Sequence, residues 1–381
     1  MLHMRGAGPT KKKLPPLEAE AQEYGCRQVL TASSRRVNRA GVQHGRTCVH
    51  SREQRASAVQ QDGQTDLSAA TSTPPKPKYT NANMPVDPEG RTYHLNTRGG
   101  EVANRILSVG SSQRAQLLSQ LLDGPAPGKP LFTKMSSRGF LTITGRFKGI
   151  PLTIVSTHMG LPNMDFVVRE CRAVVQGQMA IVRLGTCGAA QPPAKLGDML
   201  VASAGSIAIR RNADAWTVPT AGYAKYAVCL PVLPDPKLCA LVLEEAQKEV
   251  GAERVVQGLN ASADSFYSSQ GRINSDFDDE NESLLQQLCA NHPELISLEM
   301  ETFQLLDLAR CAKGGSILGM SMCIALAERY SNRFMDYKAL EAAELAGGRA
   351  ALSALARVQL KDDDSLAAVE NIKSKVQPVW V

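Results

Sequence analysis

The sequence predicts an α/β protein in which a single domain has a central mixed β-sheet flanked by helices. From about residue 100 onward, short apolar runs of strand length alternate with segments of helical spacing. Such alternation is typical of a sheet with helices packed on its faces. The hydrophobic fraction of 43% against 21% charged residues fits a globular chain with a large core.

Eight apolar runs are predicted as strands, and in chain order they cover residues 104–109, 139–147, 150–156, 179–184, 199–204, 254–261, 295–299 and 316–324. Five segments with apolar residues at helical spacing are predicted as helices, over residues 112–122, 162–176, 237–250, 302–312 and 339–358. A short turn at Lys148-Gly149 joins the second and third strands. Pro162 stands at a helix start, where its missing N–H costs no hydrogen bond.

The predicted domain organisation has three parts. Residues 1–80 form a basic, disordered extension rich in Ser, Gln and Pro; residues 81–362 form the folded domain, and 363–381 a C-terminal tail. The extension carries 13 basic and 6 acidic residues, whereas the remainder carries 30 and 31. Because the net charge of +6 belongs to the extension, the folded part gives no reason to expect a nucleic-acid partner.

Compartment signals are few. No apolar run approaches the roughly 20 residues needed to cross a bilayer, and the basic N-terminus lacks the hydrophobic stretch of a secretory signal. The nine cysteines are scattered, with no CxxC pair, which indicates reduced thiols rather than disulfides or structural zinc. We therefore predict a cytoplasmic protein without a membrane partner.

Two glycine-containing turns carry arginines suited to an anion. Gly110 follows a predicted strand and opens a helix, whose free N–H groups attract anions, and Arg114 adds a bidentate donor. Arg183 and Thr186 end a buried strand, where ligands gather in open α/β sheets. Two other interpretations remain open: a surface arginine beside a simple turn, and an arginine paired with a carboxylate.

Two further segments offer groups that match a nucleoside. Phe266, Gln270 and Arg272 supply an aromatic face, an amide and a guanidinium, and an amide has the donor and acceptor edges that a uracil imide requires. The run Glu299–Glu301 stands at a strand-to-helix junction, where a carboxylate can accept hydrogen bonds from a ribose diol. An ordinary loop and helix capping remain the alternatives for these two segments.

Taken together, the motifs resemble those of the uridine phosphorylase family within the nucleoside phosphorylase superfamily, over roughly residues 90–360. The motifs that carry the resemblance are YHL at 93–95, GSSQR at 110–114, SSR at 136–138, STHMG at 156–160, RLGTCG at 183–188 with GD at 197–198, FYSSQGR at 266–272, EMET at 299–302 and ER at 328–329. The segment at 266–272 is the most specific to pyrimidine-directed members. The stretch MCIALAER at 322–329 contains no aspartate of the kind that purine-directed members carry.

The resemblance implies an activity of the pentosyltransferase type: reversible phosphorolysis of uridine, and of deoxyuridine, to uracil and (deoxy)ribose 1-phosphate in pyrimidine salvage. It implies phosphate binding by Gly110, Arg114, Arg138, Arg183 and Thr186. It implies ribose binding by His94, Met300 and Glu301, and base binding by Phe266, Gln270 and Arg272. The residues expected to act in catalysis are Arg183, Gln270, Arg272 and Arg329.

The resemblance also implies partners. His94 and Arg138 would come from a neighbouring subunit, so the protein is expected to be a homo-oligomer, at least a dimer with shared active sites. Nucleoside and phosphate are the small-molecule partners. No cofactor and no metal ligand are predicted, because phosphate serves as a co-substrate and Gly139 replaces a glutamate that helps to bind a metal cation in several members.

Three other departures from the family pattern are visible. His158 replaces a glycine near the ribose and phosphate, and its imidazole is expected to narrow the site. Glu328 replaces an asparagine and is expected to pair with Arg329 and draw it away from uracil. Cys187 replaces a threonine or serine. These departures leave two alternatives: a catalytically impaired paralogue that serves as a nucleoside-binding or partner subunit, and a member with purine specificity.

Overall fold

The computed structural model describes residues 78–79, 81–124, 130–361, 363 and 377–381. The predicted extension at 1–80 lies almost entirely outside the described residues, and most of the predicted tail at 363–381 lies outside them too. The boundaries at 80 and 362 therefore stay predictions.

The long strand β5 (Met179–Ala189) is the centre of the sheet, because strands pair with both of its edges. β1 (Arg105–Val109) lies parallel to its first half, and β11 (Leu295–Glu299) pairs antiparallel with its last two residues. β12 (Ile317–Glu328) runs parallel along the whole opposite edge. Parallel and antiparallel pairs therefore meet at one strand.

The remaining strands extend this centre to both sides. They are β2 (Phe132–Met135), β3 (Leu141–Phe147), β4 (Ile150–Ser156), β6 (Met199–Val201), β7 (Ser206–Arg211), β8 (Tyr226–Val228), β9 (Val255–Gln257), β10 (Leu259–Ala263) and β13 (Arg333–Phe334). The path through the sheet is β2-β3-β4-β1-β5-β11-β10-β7-β8, with β12 joined to β5, β6 and β13, and β6 joined to β9.

Helices cover both faces of the sheet. α1 (Ser112–Ser119), α4 (Pro236–Val250) and α7 (Tyr337–Arg357) share one apolar core with β5, whereas α2 (Leu161–Val174) and α6 (Thr302–Cys311) share a second core with its opposite face. The short helices α3 (Asp214–Thr217) and α5 (Leu284–Asn291) lie between strands along the chain. This arrangement confirms the predicted fold class.

Most predicted elements form where apolar spacing placed them, with local signals at their ends. Lys148 and Gly149 both have positive φ, of 51° and 79°, which is the geometry of a two-residue turn between antiparallel strands. Asp235 and Asp336 accept hydrogen bonds from the first-turn amides of α4 and α7. Such caps satisfy donors that a helix cannot satisfy itself.

The prediction of one strand over 254–261 is wrong in a specific way. The segment forms β9, which pairs with β6, and β10, which pairs with β7 and β11. Gly258 separates them and passes so close to the next strand that a Cβ there would lie 2.5 Å from the Glu294 carbonyl oxygen. Only glycine tolerates that approach. The segment that approaches Gly258, at Glu294, is remote in sequence, so the local pattern does not reveal the break.

Other differences have several causes. β5 and β12 continue past their predicted ends because each pairs with the other through residues 185–189 and 325–328, a pairing between segments remote in the chain. β8 and β13 consist largely of exposed residues, so they lack the alternation that identifies a strand. In the described ranges, no helix combines the length and apolar character that crossing a membrane requires.

Candidate active site

A cavity of about 230 Å³ opens at the carboxyl ends of β1, β4 and β11, beside the second half of β5. Ligands gather at this edge of open α/β sheets. Nine of the twelve predicted site residues line the cavity: Gly110, Arg114, Arg183, Thr186, Phe266, Gln270, Arg272, Met300 and Glu301. The other three, His94, Arg138 and Arg329, lie outside its lining.

The turn after β1 forms one wall. The Ser111 hydroxyl caps α1 by accepting a hydrogen bond from the Arg114 amide at 3.2 Å. The Arg114 guanidinium donates through Nε to Glu344 at 2.7 Å and through Nη1 to the Leu184 carbonyl at 3.4 Å. Glu344, on α7, thus binds one edge of the guanidinium and orients the rest toward the cavity.

Arg183 joins two carboxylates at the centre of the site. It is buried, its Nη1 lies 3.1 Å from Glu299 Oε2, and its Nη2 pairs with Glu301 Oε2. A Cβ at Gly185 would lie 2.0 Å from Nη1, so glycine leaves the room that the guanidinium occupies. Burial acts to lower the pKa of Arg183, but the two carboxylates outweigh it, and its pKa is raised.

The two carboxylates of the Glu299–Glu301 run have different surroundings. Glu299 accepts from the amides of Glu301 and Thr302 at 2.9 and 3.0 Å, and from the Asn260 amide at 2.8 Å, so it caps α6. Burial alone would raise its pKa; the Arg183 charge and these donors lower it instead. Burial and the neighbouring Glu299 charge raise the pKa of Glu301 despite Arg183. Capping and ion pairing, the two alternatives from sequence, therefore both occur. Both carboxylates line the cavity, but it is Glu299 that caps α6.

The loop after β10 provides the aromatic wall. The Arg272 guanidinium lies 3.7 Å from the centre of the Phe266 ring, and its Nη1 donates to Gln270 Oε1 at 2.6 Å. Asn281 secures the loop by donating to the carbonyls of Ser268 and Arg272 at 2.9 and 3.1 Å. Burial and then the nearby Arg329 charge lower the pKa of Arg272 to about 10, so this guanidinium is charged at neutral pH.

Comparison with known proteins identifies the superfamily to which the domain belongs. The sequence pattern of the phosphorylase superfamily matches residues 104–356. The chain belongs to the phosphorylase superfamily. A uridine phosphorylase of Thermococcus kodakarensis is 30% identical over 274 residues, which cover 71% of this chain and 89% of that relative.

Further relatives include a uridine phosphorylase of known structure and a purine nucleoside phosphorylase. One of two diverse uridine phosphorylases from the oomycete Phytophthora capsici has a solved structure that is 42% identical, with a TM-score of 0.70, covering 74% of this chain and 100% of that one. A DeoD-type purine nucleoside phosphorylase of Geobacillus kaustophilus is 32% identical over 117 residues, covering 30% of this chain and 46% of that relative. The similarity to these uridine phosphorylases therefore spans the superfamily domain, whereas the similarity to the purine enzyme is local.

Two of the predicted site residues, His94 and Arg138, lie in a cluster of rings away from the cavity. The Arg138 guanidinium lies 4.5 Å from the centre of the Tyr93 ring, which in turn meets the His94 ring edge-on at 5.0 Å. The His94 ring stacks on Phe166 with the centroids 3.8 Å apart. The cluster presents His94 and Arg138 together but not to the cavity of their own chain.

Arg329 supports the loop after β10 by hydrogen bonds to its backbone. Its two Nη atoms donate to the carbonyls of Gln270 and Gly271 at 2.9 and 3.2 Å. A Cβ at Gly188 would lie 2.8 Å from Arg329 Cγ, so the side chain is packed tightly against β5. Burial lowers the pKa of Arg329. We therefore describe Arg329 as a positioning residue.

The expectation that Glu328 pairs with Arg329 is wrong. Glu328 accepts from Arg333 Nη2 at 2.6 Å and from the Leu196 amide at 3.1 Å. Hydrogen bonds from Ser331 and then Arg333 lower its pKa to about 2. Successive side chains of a strand point to opposite faces, and 328 and 329 adjoin at the end of β12, so the carboxylate is directed away from the arginine.

His158 lines the cavity, but its imidazole is anchored beside it. Its φ is +61°, and Nε2 donates to the Gly139 carbonyl oxygen at 2.8 Å, while the ring meets Phe140 edge-on at 5.2 Å. A carbonyl only accepts, so Nε2 carries the proton. Gly139 has no side-chain ligand, and its oxygen already accepts from His158. These residues do not fit the carboxylate cation site that several members have.

The sequence reasoning missed residues whose partners are remote in the chain. Glu344 binds Arg114, Asn260 binds Glu299, and Cys323 accepts from Arg183 Nη1 at 3.1 Å. Cys187 lies in the cavity wall, and burial raises its pKa, so the thiol stays protonated. Cys323 lies opposite Gly185 in the paired strands β12 and β5, a register that the sequence analysis did not predict.

Proposed function

We propose that this protein is a uridine phosphorylase, which converts uridine and phosphate reversibly to uracil and ribose 1-phosphate, and that it also accepts deoxyuridine. One observation carries the proposal: a single cavity contains two arginines suited to phosphate, a carboxylate suited to a diol, and an aromatic–amide–guanidinium loop suited to uracil. The similarity to uridine phosphorylases over most of the domain supports the same activity.

Phosphate binding is assigned to the Gly110 side of the cavity. The free amides at the start of α1 and the guanidinium of Arg114 face an anion there. Arg183 and the Thr186 hydroxyl approach from β5. Holding the phosphate oxygen beside the anomeric carbon converts a bimolecular attack into a positioned one.

Ribose and base occupy the rest of the cavity. Glu301 accepts hydrogen bonds from the ribose hydroxyls, with the Met300 backbone beside it. Uracil lies against Phe266. Gln270 presents an amide to the imide edge, and Arg272 lies within reach of the carbonyl on which charge develops.

The reaction then requires little proton transfer by the protein. A phosphate oxygen forms a bond to the anomeric carbon as the bond to N1 of uracil breaks, and the electron pair leaves with the base. The resulting uracil anion is stabilised by preorganised donors, chiefly Arg272, and takes a proton from solvent. Arg329 contributes by holding the loop through the Gln270 and Gly271 carbonyls.

The first test is uracil release from uridine by the full chain, with and without phosphate. We expect uracil release that depends on phosphate. Release of hypoxanthine from inosine should be at least about a hundredfold slower, since hydrogen-bonding sites discriminate strongly against mismatched partners. Release without phosphate would indicate a hydrolase. No release from the folded protein would favour the impaired paralogue, and preference for inosine would favour purine specificity.

We also propose a cytoplasmic homo-oligomer with shared active sites. Within its own chain, Arg114 is balanced by Glu344 and Arg183 by two carboxylates, so a phosphate dianion meets little net positive charge. A cation from a second copy would offset this deficit. Arg138, which is exposed and stacks on the Tyr93 ring, is available to the cavity of a second copy. The seven described cysteines are free thiols, which suits a reducing compartment.

Mixed oligomers test the shared site. Arg138→Ala and Arg272→Ala chains are each expected to be nearly inactive alone. When co-expressed as a dimer, one site in each mixed pair combines an intact Arg272 with an intact Arg138 of the other copy. Activity should return to roughly a quarter of the wild-type value for random pairing. Mixtures that stay inactive would mean that Arg138 serves its own chain.

A further inference from the structure

We propose that Glu170, on α2, is a positioning residue that fixes the His94 imidazole with Nδ1 protonated, so that Nε2 accepts a hydrogen bond from the nucleoside 5′-hydroxyl in the site of a second copy. The inference rests on the proposed function, and it concerns a residue that no sequence motif singled out.

Glu170 is almost wholly committed to one short segment. It is 5% exposed, and its two oxygens accept from the His94 amide at 2.9 and 3.0 Å, from the Leu95 amide at 2.8 Å, and from His94 Nδ1 at 2.6 Å. A buried carboxylate is costly unless it is hydrogen-bonded. Here every donor comes from residues 94 and 95.

The bond to Nδ1 determines the state of the ring. A carboxylate only accepts, so Nδ1 carries a proton, and in the neutral imidazole Nε2 is then an acceptor. A hydroxyl donates well to such a nitrogen. A carboxylate that orients an imidazole in this way fixes both its tautomer and its direction.

A second contact restrains the plane of the ring. Phe166 lies one helical turn before Glu170, and its ring stacks on His94 with an interplanar angle of 7°. One face of α2 therefore supplies both the acceptor and the stacking surface. A purely structural carboxylate would need only the two backbone amides, whereas the Nδ1 bond and the stack act on the ring alone.

The test compares uridine with 5′-deoxyuridine, which lacks the hydroxyl in question. For the wild-type protein, kcat/KM should be at least about tenfold higher for uridine, the value of one good hydrogen bond. Glu170→Gln should bring the ratio close to one by lowering the uridine value, because the Gln amide can donate to Nδ1 and reverse the tautomer. The 5′-deoxyuridine value should stay within about twofold. Glu249→Gln, on α4 at an ion pair with Arg349 of α7, is the matched control and should leave both values unchanged.

His94→Ala separates the proposal from its foundation. If His94→Ala leaves the ratio unchanged, His94 does not bind the 5′-hydroxyl, and the ribose-binding role that the family resemblance implies for it fails. The positioning role of Glu170 is overturned in two cases, provided that His94→Ala brings the ratio of the kcat/KM values close to one. In the first, Glu170→Gln leaves the ratio unchanged; in the second, Glu170→Gln lowers kcat/KM equally for both substrates.

A spectroscopic measurement covers the case in which Glu170→Gln does not fold. Imidazole ¹⁵N spectra of the wild-type full chain, assigned by comparison with His94→Ala, should show His94 with Nδ1 protonated. Protonation of Nε2 alone would contradict the proposal without any variant at position 170.

Discussion

Replacing Arg183 by alanine is expected to abolish phosphorolysis and to destabilise the fold. Its guanidinium is buried between Glu299 and Glu301. Loss of a buried partner leaves uncompensated charge and costs about 3–5 kcal/mol of the free energy of unfolding. Loss of a donor to phosphate lowers kcat/KM by about a hundred- to a thousandfold. Urea denaturation and steady-state kinetics with uridine measure the two effects.

The destabilisation should depend on pH in a defined direction. Without Arg183, the remaining carboxylates repel each other, and the pKa of Glu301, already raised by burial and by Glu299, rises further. A carboxyl group with a raised folded-state pKa favours the fold while it is protonated, and this contribution is lost as pH rises through that pKa. The variant should therefore be less impaired in stability at pH 5 than at pH 8.

Two controls separate the causes. Arg169→Ala removes an exposed partner of Asp165 on α2 and should cost less than about 0.5 kcal/mol. The double variant Arg183→Ala with Glu301→Ala should recover part of the stability but none of the activity. A single Arg183→Ala variant of normal stability would show that the buried pairs contribute nothing to folding, and one of normal activity would remove Arg183 from the site.

Replacing Arg272 by alanine should lower kcat by about two orders of magnitude or more, since it removes the main donor to the departing uracil. The fold should survive. Arg272 bonds only within its own loop, to Gln270 and the Phe266 carbonyl, and Asn281 still anchors that loop. Kinetics with uridine and a thermal melt of the same preparation check both expectations.

Arg272→Lys and Arg333→Ala make this result specific. Lysine keeps the charge but not the planar fork, so Arg272→Lys should recover only part of the activity. Arg333 pairs with Glu328 on the side of β12 away from the cavity, and Arg333→Ala should leave kcat within about twofold. If Arg272→Ala retained more than about a tenth of the activity, the residue would not align or stabilise the base.

The elements that could be predicted are those whose formation depends on local sequence patterns. Apolar spacing located α4 and α7, and the Lys148-Gly149 turn located the hairpin of β3 and β4. The division of 254–261 at Gly258 could not be found this way, because a strand on another part of the chain imposes it.

The site shows the same limit more sharply. Nine of the twelve predicted residues line one cavity, in keeping with strand ends and glycine turns as ligand positions in this fold class. Their partners were not found, since Arg114 and Glu344 lie 230 positions apart. The direction of Glu328 could not be predicted either, because the strand was predicted to end at residue 324 and its continuation to Glu328 depends on pairing with β5.

The bond between Arg183 and Glu301 has a consequence for the order in which substrates arrive. Each member of the pair is also assigned to a different substrate, phosphate for Arg183 and ribose for Glu301. Whichever substrate binds first must compete with the internal partner, and the second then finds its own ligand already released. We therefore expect synergy: saturating phosphate should tighten uridine binding, and by thermodynamic reciprocity uridine should tighten phosphate binding by the same factor. Without substrates, the ion pair thus keeps both groups occupied, and both become available only when phosphate and nucleoside bind together.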